Sequence, residues 1–122
     1  MHIGPDYDNP IFRIRAYDEN SITINETIYY QNILLFETTL ISPWTKKASS
    51  QLVYEDFVTL IDMRPELLVV GTGKAQLFFA QSITAMFQQH HIGLETMTTG
   101  AACRTYTVLA SEDRKVMGLF FI

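Results

Sequence analysis

Leu67-Leu68-Val69-Val70-Gly71-Thr72-Gly73 is the stretch on which the fold turns. Four apolar residues in a row, with no polar alternation, form the pattern of a strand covered on both faces. Helical spacing appears on either side of it. Upstream, within residues 54–64, Phe57, Leu60, Ile61 and Arg64 fall on one stripe. Glu55 and Asp56 lie in the first turn and Arg64 in the last, as the helix dipole prefers, and Pro65 stops the run. Downstream, a helix from about Ser82 carries Ile83, Met86, Phe87 and His90, with Gly93 expected as its C-cap. Residues 94–97 read as a short strand. Thr98-Thr99-Gly100 leads into a third helix with Cys103, Tyr106, Leu109 and Ala110 on one stripe, and residues 116–122 close as a buried strand. This order, αβαβαβ, implies crossovers, parallel pairing and helices covering the sheet.

Working back toward the N-terminus, the pattern changes to strands alone. Residues 11–17 alternate, with Arg13 and Arg15 on one face and Phe12, Ile14 and Ala16 on the other. Asp18-Glu19-Asn20-Ser21 is turn chemistry. Residues 21–25 and 26–30 are β-branched and aromatic, and Ile33-Leu34-Leu35-Phe36 is a more buried strand. Together these predict an antiparallel meander. Pro43 biases Ser42 away from helix, and Trp44, the single tryptophan, reads as a half-buried packing anchor. The expected fold is therefore α/β, a single three-layer domain over residues 1–122. Antiparallel N-terminal strands precede a mixed, largely parallel central sheet. Neither half buries a core alone.

The 122 residues are one domain's worth, and 48% hydrophobic content excludes a disordered chain. A net charge of −4 without a basic stripe argues against a nucleic-acid partner. One cysteine, Cys103, supplies neither an internal disulfide nor a structural zinc site, and it reads as a small buried hydrophobe. No apolar run approaches the roughly 20 residues that span a bilayer. The first eight residues show neither a basic n-region nor an apolar h-region, so a cytoplasmic location is expected.

Two loops invite a chemical reading. Gly71-Thr72-Gly73-Lys74 follows a buried strand, as phosphate-binding turns do. It lacks the Walker spacing, with Leu68 and Ala75 at the deciding positions, and it lacks the third glycine of a dinucleotide fingerprint, where Gln76 stands. A tight turn needing positive φ is the plainer explanation. Thr98-Thr99-Gly100 opens a helix whose first amides are available. Arg104 then lies in the first turns, at the positive end of the dipole. That placement costs on the order of 0.3–1 kcal/mol unless a negative group answers it. Glu95 is the expected internal partner, and a bound carboxylate or phosphate is the other. If strands 67–70 and 94–97 are parallel neighbours, both loops leave one carboxyl edge, where α/β sheets form ligand crevices. The candidate pocket thus comprises Gly71, Thr72, Gly73, Glu95, Thr98, Thr99, Gly100 and Arg104. His90 and His91 suit a helix C-terminus, and no third ligand at readable spacing suggests a metal. No catalytic set stands out, and no cofactor is expected.

Residues 71–73, then Gly93-Leu94-Glu95-Thr96-Met97-Thr98-Thr99-Gly100-Ala101-Ala102-Cys103-Arg104-Thr105-Tyr106, then Leu109, Glu112, Arg114 and Val116 carry a resemblance. The chain resembles the Mth-domain family of unknown function. That family contains the third alpha-subcomplex assembly factor of mitochondrial complex I and the adipogenesis-associated Mth-domain protein. The match is strongest over the last half. It departs at Thr107, where the family usually has Asn, and at Phe78-Phe79-Ala80, where a proline is common. The resemblance implies a compact α/β fold with an additional β layer and no established enzymatic activity. With the abundant Phe and Tyr and the lack of a catalytic set, it points to a non-enzymatic interaction protein, an accessory or assembly factor with an unidentified protein partner, and the lack of a transit-like start points to a bacterial member. Self-association is a further expectation. The alternative is a small-anion or cofactor-binding protein that uses the glycine loops and Arg104.

Overall fold

The computed structural model describes residues 11–122. The reading of the first eight residues as free of a leader falls outside them. The elements run β1 (Ile14–Tyr17), β2 (Ile22–Ile24), β3 (Thr27–Tyr29), β4 (Ile33–Phe36) and β5 (Thr39–Ile41). Then come 3-10 turns at Ser49–Gln51 and Tyr54–Phe57, α1 (Val58–Asp62) and β6 (Leu67–Gly71). The chain continues through α2 (Gln81–Gln89), β7 (Gly93–Met97), α3 (Thr99–Ser111) and β8 (Val116–Phe120). The α/β fold with antiparallel strands first and αβαβαβ afterwards is as expected.

The central sheet is mixed, as expected, but the N-terminal strands divide between two sheets instead of forming one meander. β1, β2 and β3 make a small antiparallel sheet, while a five-stranded sheet runs β5-β4-β8-β6-β7. β6 is parallel to both β7 and β8. β4 leaves the N-terminal strands and pairs antiparallel with β8, Ile33 opposite Phe120 and Phe36 opposite Met117. The reason lies in its composition. All four β4 residues are apolar and buried, so the strand needs cover on both faces, which only a central position supplies. The hairpin to β5 then forms the edge.

Alternate residues of the large sheet feed two cores. Leu34, Leu68, Val70, Met117 and Leu119 face one way, onto Phe57, Leu60, Ile83 and Phe87 of the α1–α2 layer. Ile33, Leu35, Val69, Val116 and Phe120 face the other way, onto Ala102, Cys103 and Tyr106 of α3 and Ile22 and Ile24 of the small sheet. The result is three layers. Phe57 centres the first core, with edge-on contacts to Phe79 and Phe87 at 5.1 and 5.7 Å and a tilted contact to Trp44 at 6.5 Å. Trp44 is a half-buried anchor there. Its loop is held by Asn32, whose Oδ1 accepts from the Trp44 and Thr45 amides at 2.8 and 3.0 Å.

Local differences have local causes. α2 ends at Gln89, and His91 takes the left-handed position, φ 58°. Gly93 is not the cap. It begins β7, where a Cβ would meet the Leu67 side chain at 2.7 Å. His90 Nδ1 lies 2.9 Å from the Met86 carbonyl, at the helix end where its role was expected.

Candidate functional site

β6 and β7 are parallel neighbours in register from Leu67–Gly93 to Gly71–Met97. Both loops therefore leave the same edge of the sheet, and they touch. The Gly73 amide donates to Thr99 Oγ1 at 2.8 Å, and the Thr99 amide donates back to the Gly73 carbonyl at 2.9 Å. Thr99 Oγ1 in turn donates to the Phe121 carbonyl beyond β8. One hydroxyl thus ties the ends of β6 and β8 to the start of α3. Thr72 is equally occupied. Its amide reaches the Met97 carbonyl at 2.8 Å. Its hydroxyl sits 2.7 Å from the Ala75 carbonyl and 3.1 Å from that of Met97, and accepts from the Leu77 amide at 3.1 Å.

The two glycines of the first loop have separate causes. Gly73 sits at φ +105° in open space, a conformation that side-chain-bearing residues rarely take. Gly71 lies where α3 crosses the sheet, and a Cβ there would come 2.7 Å from Thr99 Cα. Gly118 on β8 makes the same room, with Tyr106 only 2.8 Å from its would-be Cβ.

The first turn of α3 is mostly satisfied from within the fold. Thr98 caps it through a long 3.4 Å bond from the Ala101 amide, and the Ala102 amide reaches the Thr98 carbonyl at 2.9 Å. That leaves Gly100 as the first-turn amide without a partner among the described residues. Such amides are what an anion at a helix N-terminus would use.

A cleft of about 790 Å³ opens beside this edge. Of the candidate residues, Gly73, Thr98, Thr99 and Gly100 line it. Gly71 and Thr72 lie buried in the structure behind it. Glu95 is exposed on the edge strand β7, opposite Val69, and does not line the cleft. Arg104 also turns elsewhere. The expected Glu95–Arg104 pair does not form; Arg104 Nη1 donates instead to the Tyr17 hydroxyl at 2.5 Å, 87 residues back in the chain. The reason is position. The small sheet brings β1 alongside α3, and Tyr17 lies against Gly100, 3.0 Å from where a Cβ would be.

Sequence reasoning did not find the other wall. Tyr17, Tyr30 and the Asp18–Asn20 turn come from the small sheet, and Lys74 reaches Glu19 across 3.3 Å with both side chains mostly exposed. Nothing local to residues 17–30 signals that they face residues 73–100.

Cys103 is 1% exposed, and burial pushes its thiol up to about 12, against a smaller opposing pull from the Arg104 charge. It is a protonated core residue at neutral pH, not a nucleophile. Burial likewise raises the Tyr106 hydroxyl to about 12. Asp18 is held below the usual carboxylate range by the Asn20 amide and the Ser21 hydroxyl. Among the described residues no three His, Cys, Asp or Glu side chains gather as a metal site, and no helix is long and apolar enough to cross a membrane.

Residues 14–121 match a family described as a protein of unknown function, DUF498/DUF598. The chain is 26% identical over 108 residues to the 13 kDa major membrane protein of Francisella tularensis subsp. holarctica, covering 88% of this chain and 87% of that one. It is 30% identical over 104 residues to the NADH dehydrogenase (ubiquinone) 1 alpha subcomplex assembly factor 3 of Rattus norvegicus, covering 83% of this chain. It spans about half of that relative, 55% of its length. Among solved structures, the NMR structure of a Xanthomonas campestris protein superposes with a TM-score of 0.87 at 31% identity, covering all of this chain and 92% of that one. The resemblance to the family of the complex I assembly factor is borne out, and the chain belongs to the DUF498/DUF598 family of proteins of unknown function.

Proposed function

We propose that this chain is a non-enzymatic accessory or assembly factor that works by binding other proteins, in the cytoplasm of a bacterium. The observation that carries the reading is where the chain spends its polar and apolar groups. The hydroxyls and most amides of the two candidate loops are used by the fold itself. Large apolar side chains meanwhile stand in water: Phe78 is 81% exposed, Tyr30 68% and Val108 56%. A phenyl ring so exposed gains free energy when a partner covers it. The relative named as an assembly factor for NADH dehydrogenase supports the same reading. The test is chemical crosslinking in cells of the parent organism with a tagged chain, followed by quantification of captured proteins. One stoichiometric partner, reduced by Phe78→Ser, is expected. Recovery of the chain alone, from wild type and variant, overturns the reading. Fractionation of the same cells tests the location, and a chain found wholly with membranes contradicts it.

The cleft favours a second reading, a small-anion or cofactor pocket made by Gly73, Thr98, Thr99 and Gly100 with Lys74 at the rim. Its support is the Gly100 amide and the position at the carboxyl ends of parallel strands. A thermal-shift panel of inorganic phosphate, nucleotides and carboxylates tests it. A saturable rise in Tm that Lys74→Ala removes is expected on this reading, and a flat panel refutes it.

A further inference from the structure

The small sheet ends in β1. Among the described residues β1 pairs only with β2, and its other edge runs beside α3. Between them lies a groove of about 380 Å³. One wall is β1 along its whole length; the other is Arg104, Thr107 and Val108 of α3. Positions spaced i, i+3 and i+4 share one helix face, so the second wall is continuous. A strand edge facing a helix across a groove is the geometry in which an extended peptide adds to a sheet. Backbone hydrogen bonds along the strand then supply affinity, and pockets for alternate side chains supply specificity.

Charge selects the occupant. Arg15 and Arg104 both line the groove, in a chain whose net charge is −4. The acids of the adjoining turn, Asp18 and Glu19, line the other cleft, where Glu19 faces Lys74. A guanidinium carries five donors in a fork that fits a carboxylate, and the Tyr17 hydroxyl takes one of those of Arg104. The β-bulge between Ile14 and Ala16 and the arginine beside it are also devices that keep edge strands from pairing indiscriminately. Here the guard is wholly basic. It disfavours cationic strands and admits acidic ones.

We propose that this groove takes an extended acidic segment of a partner protein, added as a strand along β1 with its carboxylates on Arg15 and Arg104. The proposal rests on the protein-binding reading above and names the surface and the partner chemistry. With a strand rise of about 3.3 Å, β1 spans on the order of 13 Å, enough to pair with about four residues.

The probe is a fluorescein-labelled hexapeptide alternating Val or Thr with Glu, titrated against the full chain by anisotropy, with its Lys counterpart as control. Saturable binding of the acidic peptide alone is expected, weakening as salt rises. Arg15→Glu and Arg104→Glu are each expected to lower affinity at least about tenfold. Both positions are exposed, and unchanged unfolding midpoints for Arg15→Glu and Arg104→Glu themselves show that the loss is not misfolding, with Arg15→Gln and Arg104→Gln as charge-neutral repeats. Amide exchange on the full chain reads the geometry, because β1 amides should gain protection when peptide is bound. Equal binding of acidic and basic peptides, or protection elsewhere only, overturns the proposal. So does full protection of β1 in the free protein, which would place the chain's own residues 1–10 or a second copy there. A cellular partner retained by the Arg15→Glu/Arg104→Glu double variant defeats the groove but leaves the protein-binding reading standing. Peptide binding without any cellular partner does the reverse.

Discussion

Alanine at position 71 would set a methyl carbon 2.7 Å from Thr99 Cα and 3.0 Å from both Ala102 Cβ and Thr99 Oγ1. Ordinary carbon contacts begin near about 3.5 Å, so the first turn of α3 must move by most of an ångström. It has little freedom to do so. Thr99 is pinned to Gly73 by two hydrogen bonds of 2.8 and 2.9 Å and to the Phe121 carbonyl by a third. Overpacking a core costs about 1–3 kcal/mol, and the upper part of that range applies where the obstacle is backbone. At roughly 3–5 °C per kcal/mol for a domain of this size, Tm should fall by about 6–15 °C. The assay is thermal and urea unfolding of Gly71→Ala, alone and combined with Ala102→Gly. The second change removes only the Ala102 contact, so it should recover little. Gly73→Ala is the contrast: its Cβ meets nothing within 4 Å, and its cost comes from φ +105° alone, roughly 1–3 kcal/mol. A Gly71→Ala protein within a degree of wild type, or one restored by Ala102→Gly, would refute the close-approach argument.

Three further outcomes are expected. Thr99→Val strands the Gly73 amide and the Phe121 carbonyl, and should cost about 1–3 kcal/mol, with Thr99→Ser nearer wild type; urea midpoints and faster exchange at the Gly73 amide measure it. Cys103 should resist a thiol reagent until the chain unfolds. Because its folded pKa, about 12, lies above that of the unfolded thiol, near 9.0, stability is full below the latter and declines as pH rises from there toward the former; the alkaline loss should shrink in Cys103→Ala. Burial acts against the Asp56 carboxylate, yet Lys47 at 2.8 Å and the Val53 amide at 2.8 Å outweigh it and hold its pKa below 3.8. The unfolded state then takes up the proton first as pH falls, so stability drops below about pH 4, and Asp56→Asn should flatten that part of the urea-midpoint profile.

What the sequence made legible follows the range of the forces involved. Helix and strand periods are set by neighbours a few residues apart, so residues 67–70, the α2 stripe and the Cys103–Tyr106 face of α3 could be read directly. The course of β4 could not. Its apolar run announces burial, but the choice of β8 as partner joins residues 33–36 to residues 117–120, and a local window holds no term for that. β5 is three residues of Thr-Leu-Ile with no period to detect, and it is a strand only because β4 offers it an edge. Gly93 departs from its expected role as a cap for a related reason. A glycine after a helix suggests a cap, yet the residue that takes the left-handed turn is His91, and the glycine answers to Leu67 on another strand.

The candidate site divides along the same line. Parallel neighbours β6 and β7 bring residues 71–73 and 98–100 together, as the βαβ order requires. What those residues then do depends on hydroxyls, which spacing does not rank. Thr72 and Thr99 could each have offered a ligand an oxygen, and both instead close the fold. Arg104 shows the stronger case. On sequence its natural partner was Glu95, nine residues away on the preceding strand. The small sheet replaces that carboxylate with the neutral Tyr17 hydroxyl, and this exchange changes what the arginine can do. A guanidinium paired with a carboxylate inside the protein has its charge answered. One anchored by a phenol has, among the described residues, no carboxylate to answer its charge, while the phenol fixes where that charge stands.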